Sequence, residues 1–443
     1  MGVAPLAVLG EAPSEGTASH HAVPHVVAWN LTRRCNLECA HCYISAGPGE
    51  SAEGELTTDE CIRVADEILE LNTAPMFILS GGEPLLREDL TTIARHAVER
   101  GATVVVGTNG TLLTDEKIVE LKSAGITGVA VSVESLRPDY HDRFRKGHGS
   151  LVATTSAVER LGRQQLDFVV QTTLTRANRD ELRALAQWAA DSGAVSFNAY
   201  FLVGTGRGAR MSQLTSEEYE DLLGQLVDLH VEYLGRMMVR AKCAPAFMRL
   251  IHQRAPTSPI LNYSTRCPCG VHYCRVTPDG KLTACPYLPV EAGDLRQAAF
   301  ADIWRNSALF AALRHGKLGG KCGRCGYREL CGGCRASAYA RTGDYMAEDA
   351  GCAYEPAEAE PVIPSPRAVA YGEARGATLP WTAEAQQRLA RIPSFVRGVV
   401  VKRIEDYAER QGVSVITADL LQEVRQSMPV DFSKRLPFFL RDD

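Results

Sequence analysis

The chain has 443 residues, 45% of them apolar, and a formal net charge of −5 at neutral pH. That length suffices for a barrel and one or two smaller units, and the mild acidic surplus gives no sign of nucleic-acid binding. No basic, apolar leader opens the sequence and no run is long enough to cross a bilayer, so its 14 cysteines read as reduced, metal-binding thiols in a cytoplasmic protein rather than as disulfides.

Residues 1–24 carry no pattern and are expected to be disordered. A first strand near Val26–Asn30 runs into Arg34-Cys35-Asn36-Leu37-Glu38-Cys39-Ala40-His41-Cys42-Tyr43, a CxxxCxxC spacing. Three thiolates on one tight loop can hold three irons of a four-iron cube and leave the fourth bare. Tetrahedral zinc would lack a ligand there unless His41 joined. Next, Thr57 and Glu60 form a capping box for a helix with an apolar stripe of Cys61, Val64, Ala65, Ile68 and Leu71. The strand Met76–Ser80 ends in Gly81-Gly82-Glu83-Pro84, and the strand near Thr103–Gly107 ends in Thr108-Asn109-Gly110. A strand near Gly128–Val133 carries Ser132 and leads to Glu134. Further strands lie near Phe168–Thr173, containing Gln171, and near Ser196–Leu202. Between the last two, Asn178-Arg179-Asp180-Glu181 is read as opening a helix that Gly193 closes. Six β/α units in a row imply a parallel sheet with right-handed crossovers and chemistry at the carboxyl ends of the strands.

A second cysteine group follows: Cys267, Cys269, Cys274 and Cys285, then Cys322-x2-Cys325-x5-Cys331-x2-Cys334, then Cys352. Thr277-Pro278-Asp279-Gly280-Lys281 reads as a hairpin turn. Five residues between the two CxxC pairs are too few for an ordinary zinc ribbon. Cys61 and Cys243 read as small buried hydrophobes on helices. A Pro-, Ala- and Glu-rich linker over 354–380 precedes a helical piece, 381–443, whose expected apolar face is Phe395, Val399, Ile404, Tyr407 and Ala408, with Thr417 capping a last helix.

The CxxxCxxC loop, the Gly-Gly-Glu-Pro stretch and the strand-end Ser132 and Glu134 occur in the order typical of radical S-adenosylmethionine (SAM) enzymes, which residues 25–236 resemble. The resemblance implies an α/β fold, a partial (β/α)6 TIM-type barrel, with a [4Fe-4S] cluster on Cys35, Cys39 and Cys42 as its catalytic centre. It places SAM against Tyr43, Gly81, Gly82, Glu83, Pro84, Asn109, Ser132, Glu134 and Gln171. In that reading the glycines allow close approach, the Glu83 carboxylate accepts from the SAM ammonium, and Ser132 and Glu134 bond its ribose and carboxylate region.

Residues 237–353 resemble the cysteine-rich SPASM extension, which implies one or two auxiliary [4Fe-4S] clusters. Cys274, Cys285 and Cys334, with Cys269 or Cys267, would form the nearer; Cys322, Cys325, Cys331 and Cys352 would form the farther. The general extension has three residues where this chain has Gly332-Gly333. With the segment Thr342-Gly343-Asp344-Tyr345-Met346-Ala347-Glu348-Asp349, that departure resembles the branch that tailors haem-type tetrapyrroles. The last unit resembles the small C-terminal domain of light-independent protochlorophyllide reductase.

The resemblance implies reductive cleavage of SAM to a 5′-deoxyadenosyl radical that decarboxylates or removes a tetrapyrrole side chain, fed by a reductant such as flavodoxin or ferredoxin. Arg207 and Arg210, after the sixth strand, are the expected carboxylate ligands; no membrane or nucleic-acid partner is expected. Two alternatives remain. A peptide maturase usually carries a winged helix ahead of the barrel, and only about 24 residues precede the first strand here. A non-enzymatic iron-sulfur carrier leaves Gly-Gly-Glu-Pro and Ser132/Glu134 without a purpose.

Overall fold

The computed structural model describes residues 23–262, 266–364, 378–390 and 392–426. Residues 1–22, most of the expected linker and the Phe395 and Val399 side chains lie outside that description.

Ten strands form one sheet: β1 (Val26–Asn30), β2 (Met76–Ser80), β3 (Thr103–Thr108), β4 (Gly128–Ser132), β5 (Asp167–Leu174), β6 (Ser196–Phe201), β7 (Met238–Lys242), β8 (Tyr273–Val276), β9 (Lys281–Cys285) and β10 (Leu288–Asp294). Their order is β10-β9-β8-β1-β2-β3-β4-β5-β6-β7. β1 to β7 run parallel, β8 joins β1 in parallel, and β9 and β10 return antiparallel. The sheet therefore runs past the six expected units at both edges. β7 escaped notice because Met-Val-Arg-Ala-Lys sets charged residues on one face and reads as polar chain.

The sheet is curled, and burial alternates along its strands with a period of two. On β5 and β6, Phe168, Val170, Phe197 and Ala199 are wholly buried beneath the helices, whereas Gln171, Thr173, Asn198 and Tyr200 are half-buried on the concave side. The helix Thr58–Leu71 starts at the expected capping box, Thr57 accepting from the Glu60 N–H and Glu60 from the Thr57 N–H. Its buried stripe is Cys61, Val64, Ala65, Ile68 and Leu69, with Leu71 at the margin. The β8–β9 hairpin turns at Asp279-Gly280, where Gly280 takes φ +82°.

Asn178 does not cap a helix. A 3-10 turn, Arg179–Glu181, precedes the helix Leu182–Asp191, and no side-chain cap bond forms. The Asn178 amide is instead buried: it accepts from the Thr175 N–H at 2.8 Å and donates to the Glu134 and Thr173 carbonyls at 2.7 and 2.9 Å. It thus ties the chain after β4 to the chain after β5.

The C-terminal helices Ala383–Ala390, Ser394–Gln411 and Ala418–Gln426 enclose their own core of Trp381, Ala385, Val401, Ile404, Ala408 and Leu420. Thr417 caps the last helix through the Leu420 N–H. Buried Glu405 accepts from Thr378, the Leu379 N–H and the Trp381 indole. Ser394 docks this unit where β1 and β2 begin: its N–H donates to Ala74 and its hydroxyl meets His25 and Asn72, each at 2.9 Å.

A helix cap removed by mutation costs about 1 kcal/mol. Asn178→Ala should cost more, on the order of 2–4 kcal/mol, because it strands two buried carbonyls. Urea unfolding, alongside Thr57→Ala as the ordinary cap loss, measures the difference.

Candidate active site

All the expected catalytic motifs leave the carboxyl ends of β1 to β4. The cysteine loop follows β1 and is braced on three sides. From the chain after β2, the Gly82 N–H donates to Thr32 O and the Glu83 N–H to Arg34 O. From the helix Pro138–Arg145, the Phe144 and Arg145 carbonyls accept from Ala40 and Glu38. From the chain after β6, the Arg207 guanidinium donates to Cys39 O at 2.8 Å and Ala46 O at 2.7 Å, and its N–H to Cys42 O.

Several expected ligand residues therefore have other duties. Arg207 is a clamp on the loop rather than a carboxylate receptor, and Arg210 is exposed with no partner among the described residues. A Cβ on Gly82 would lie 2.3 Å from Arg34 O and one on Gly81 2.6 Å from Thr32 O, so the glycines admit the neighbouring backbone. The Glu83 carboxylate is buried and accepts from the Thr108 hydroxyl and the Asn109 and Leu85 N–H groups. Burial pushes it up to about 7 against those bonds. Pro84 starts the short turn that Glu83 caps. The Asn109 amide donates to Asn36 on the loop.

Glu134, 1% exposed, bonds Arg145 at 2.7 Å and the Thr173 N–H at 2.6 Å and lies 3.6 Å from the His41 imidazole. Burial opposes its ionisation, but His41 and Arg145 hold it below the usual carboxylate range. His41, stacked on Phe144, is itself pushed down to about 4 by burial, so Arg145 carries the charge at neutral pH. Of the expected SAM residues, Ser132 keeps a free hydroxyl among the described residues, whereas Gln171 donates to the Tyr200 hydroxyl and Tyr43 accepts from Asn30.

Do the thiols suit iron-sulfur clusters? Burial raises Cys35 to about 12 and also raises Cys39, so these thiols keep their protons unless a metal cation replaces them. Main-chain N–H groups donate to Cys35 and Cys42 at 3.4 and 3.3 Å. The same N–H to sulfur bonds reach Cys322, Cys325, Cys331 and Cys334. Such bonds stabilise bound thiolates and tune cluster potentials.

The second cysteine group divides in two. Cys322, Cys325, Cys331 and Cys352 line one cavity with Arg249 and Tyr354, the set expected for the farther cluster. Cys267 and Cys269 lie 3.2 Å apart; Cys269 also bonds Cys285, and Cys334 lies in the field of Cys267. Cys274 is not with them. β8 directs Cys274 toward the helices, wholly buried, while its neighbour Tyr273 faces the concave side in the field of Cys269 and Cys285. Both Cys267 and Cys269 therefore stand where the sequence offered one of them plus Cys274. Cys243 also departs from expectation: it is on no helix, follows β7 with φ +58°, and bonds Cys334. Cys61 is the buried helical hydrophobe expected.

Between the cysteine loop and this nearer thiol group stands a wall of tyrosines. Ring centres of Tyr43 and Tyr287 are 5.0 Å apart and those of Tyr200 and Tyr287 6.3 Å apart, with Tyr273 in the same electrostatic neighbourhood. Arg275 lies 5.5 Å over Tyr43, its Nε on Asn30 at 2.6 Å. Sequence reasoning missed the wall because its members come from four separate segments.

Comparison with known proteins agrees with this architecture. Residues 29–189 match the radical SAM superfamily, 267–335 an iron-sulfur cluster-binding domain, and 381–425 the proto-chlorophyllide reductase 57 kD subunit. An AdoMet-dependent heme synthase of Methanosarcina barkeri is 38% identical over 343 residues, 75% of this chain and 97% of that protein. The chain belongs to the radical SAM superfamily. A mycofactocin maturase of Mycolicibacterium smegmatis is 30% identical over 71% of this chain and 79% of its own length. The crystal structure of Streptococcus suis SuiB bound to S-adenosylmethionine shares the fold, with TM-score 0.61 at 12% identity, covering 75% of this chain and 78% of that one. As a radical SAM enzyme, the protein uses a [4Fe-4S] cluster, SAM and auxiliary iron-sulfur clusters. Among the described residues no helix is long and apolar enough to cross a membrane.

Two outcomes are expected. Cys274→Ala should keep the iron content of the wild type after reconstitution, whereas the pair Cys267→Ala and Cys269→Ala should lose about four irons per chain. Iron and sulfide assays decide. For Glu83, the unfolded carboxyl ionises near its ordinary 4.5 and the folded one near 7, so the native state holds the extra proton between them and loses stability as pH rises through that window. The advantage of iron-free wild type over Glu83→Gln should shrink from pH 5 to pH 8, read as urea midpoints.

Proposed function

We propose that this enzyme removes carboxyl carbon from the propionate side chains of a haem-type tetrapyrrole. The observation that carries the reading is the tyrosine wall with Arg275, set between the CxxxCxxC loop and the nearer thiol group. A flat, aromatic, polycarboxylate macrocycle needs aromatic faces to lie on and guanidinium for its acids. The relative's name, an AdoMet-dependent heme synthase, supports the same substrate class.

Cys35, Cys39 and Cys42 would hold the cluster, and Cys267, Cys269, Cys285 and Cys334, with Cys322, Cys325, Cys331 and Cys352, the auxiliary ones. When bound, the cluster and SAM supply one-electron cleavage of the sulfonium to methionine and a 5′-deoxyadenosyl radical, on an electron from a carrier such as flavodoxin or ferredoxin. The protein contributes placement. Arg207 and the Gly81–Glu83 segment fix the cysteine loop, and the Gly81 and Gly82 carbonyls, which accept no hydrogen bond among the described residues, are offered to the SAM ammonium. Ser132 offers its hydroxyl to the ribose. The tyrosines exclude water from the reacting carbon. The carbon beside the ring would lose a hydrogen atom to the deoxyadenosyl radical; loss of carbon dioxide and of one electron, for which an auxiliary iron-sulfur cluster would be the acceptor, then leaves a vinyl group.

A second reading, a peptide substrate, is favoured only by the likeness to the mycofactocin maturase. Reconstituted, reduced protein incubated with SAM and sirohaem, didecarboxysirohaem, iron-coproporphyrin or metal-free porphyrins separates the two. Mass spectrometry should show at least one macrocycle losing carbon dioxide and two hydrogens per reacting arm. SAM cleavage with every macrocycle unchanged would return the peptide reading. Replacing Cys35, Cys39 and Cys42 together by alanine should abolish deoxyadenosine formation.

A further inference from the structure

β7 is the outermost parallel strand, and of the three positions on its concave face, Met238, Arg240 and Lys242, two are cationic. Val239, before Arg240, is wholly buried toward the helices and Ala241, between the two cations, packs against the same core, so Arg240 and Lys242 share the concave side. Register extends each into a row across the sheet. Arg240 stands beside Asn198, Gln171 and Ser132 in turn, and Lys242 beside Tyr200 and Thr173.

Among the described residues no carboxylate pairs with Arg240 or Lys242; the Arg240 Nε is buried without a hydrogen bond, and its terminal nitrogen meets only the Met238 sulfur. The contrast with Arg207, spent on loop carbonyls, and Arg145, spent on Glu134, is sharp. Two like charges two residues apart on one face of a strand repel each other, and removing them from water without a counterion is unfavourable. Burial and the Arg240 charge already push the Lys242 ammonium down to about 8. Such a pair persists in a fold where an anion completes it.

We propose that Arg240 and Lys242 bind the carboxylate arms of the substrate that are retained, and thereby select which arms face the cysteine loop. The inference rests on the tetrapyrrole reading above and deepens it. Arg240 lies three strand spacings, about 14 Å, from Ser132 at the SAM side. That span suits a macrocycle held by acids at one edge and attacked at the other. Guanidinium takes one carboxylate in a two-pronged grip and ammonium takes the next as a point charge. Tyr200, next to Lys242 in the second row, lies against the ring.

The test uses reconstituted holoenzyme titrated with iron-coproporphyrin and, separately, with its tetramethyl ester, following the Soret band. Wild type should bind the free acid far more tightly than the ester. The double variant Arg240→Gln, Lys242→Met should bind the acid at least about thirtyfold more weakly, while ester binding stays unchanged. The charge-preserving swap Arg240→Lys, Lys242→Arg should restore most of the affinity. Iron content and cluster absorbance of each variant report folding independently of binding. Acid affinity unchanged in the double variant would overturn the proposal while leaving the tetrapyrrole reading intact. So would loss of acid and ester binding alike in both the double variant and the swap. Wild type that binds neither macrocycle would remove the tetrapyrrole reading, and this inference with it.

Discussion

The structure turns on the contact between two pieces of main chain, the one leaving β1 and the one leaving β2. Gly82 and Glu83 donate to Thr32 and Arg34 at a separation that leaves no room for a side chain on Gly82. That contact fixes where the cysteine loop begins. The Glu83 carboxylate carries the constraint onward to Thr108 and Asn109 at the end of β3, and the Asn109 amide returns it to Asn36 on the loop. Arg207 closes the brace from the opposite side. A cluster that must keep one iron open for a ligand needs its three thiolates held by something other than the metal, and this lattice of backbone bonds provides it.

The same economy governs the second cysteine group. Gly332 and Gly333 both adopt φ near +65°, and a Cβ on Gly333 would lie 2.9 Å from the Cys322 sulfur. The left-handed pair turns the chain so that Cys331 enters the farther cavity and Cys334 the nearer group. Asp349, 2% exposed, accepts from the Cys334 N–H and the Ser337 hydroxyl while its own N–H donates to Cys322. One buried residue, by its carboxylate on one side and its main-chain N–H on the other, thus spans both thiol sets, which sets their spacing without a direct covalent link.

Much of this was legible in the amino-acid order because the signals are local. Capping by Thr57 and Thr417 and the Asp279-Gly280 turn depend on neighbours a few residues away, while the grouping of Cys322, Cys325, Cys331 and Cys352 came from the family resemblance. What escaped depends on parity or on distant partners. Cys274 directly follows Tyr273, and in a strand the next residue is on the opposite face. Arg207 looks like a carboxylate receptor until the loop 168 residues earlier takes its donors. Asn178 has the look of a helix cap, yet its amide serves the chain after β4 and the end of β5. β7 was lost because its charged residues face inward, where composition argues for outside.

Ser394, at the amino ends of β1 and β2, carries a last implication. The small C-terminal bundle sits behind the catalyst, under the floor of the barrel, with the reactive thiols at the opposite rim. Anything held at this bundle is held away from the cysteine loop, so a tether there leaves the doorway of the barrel clear.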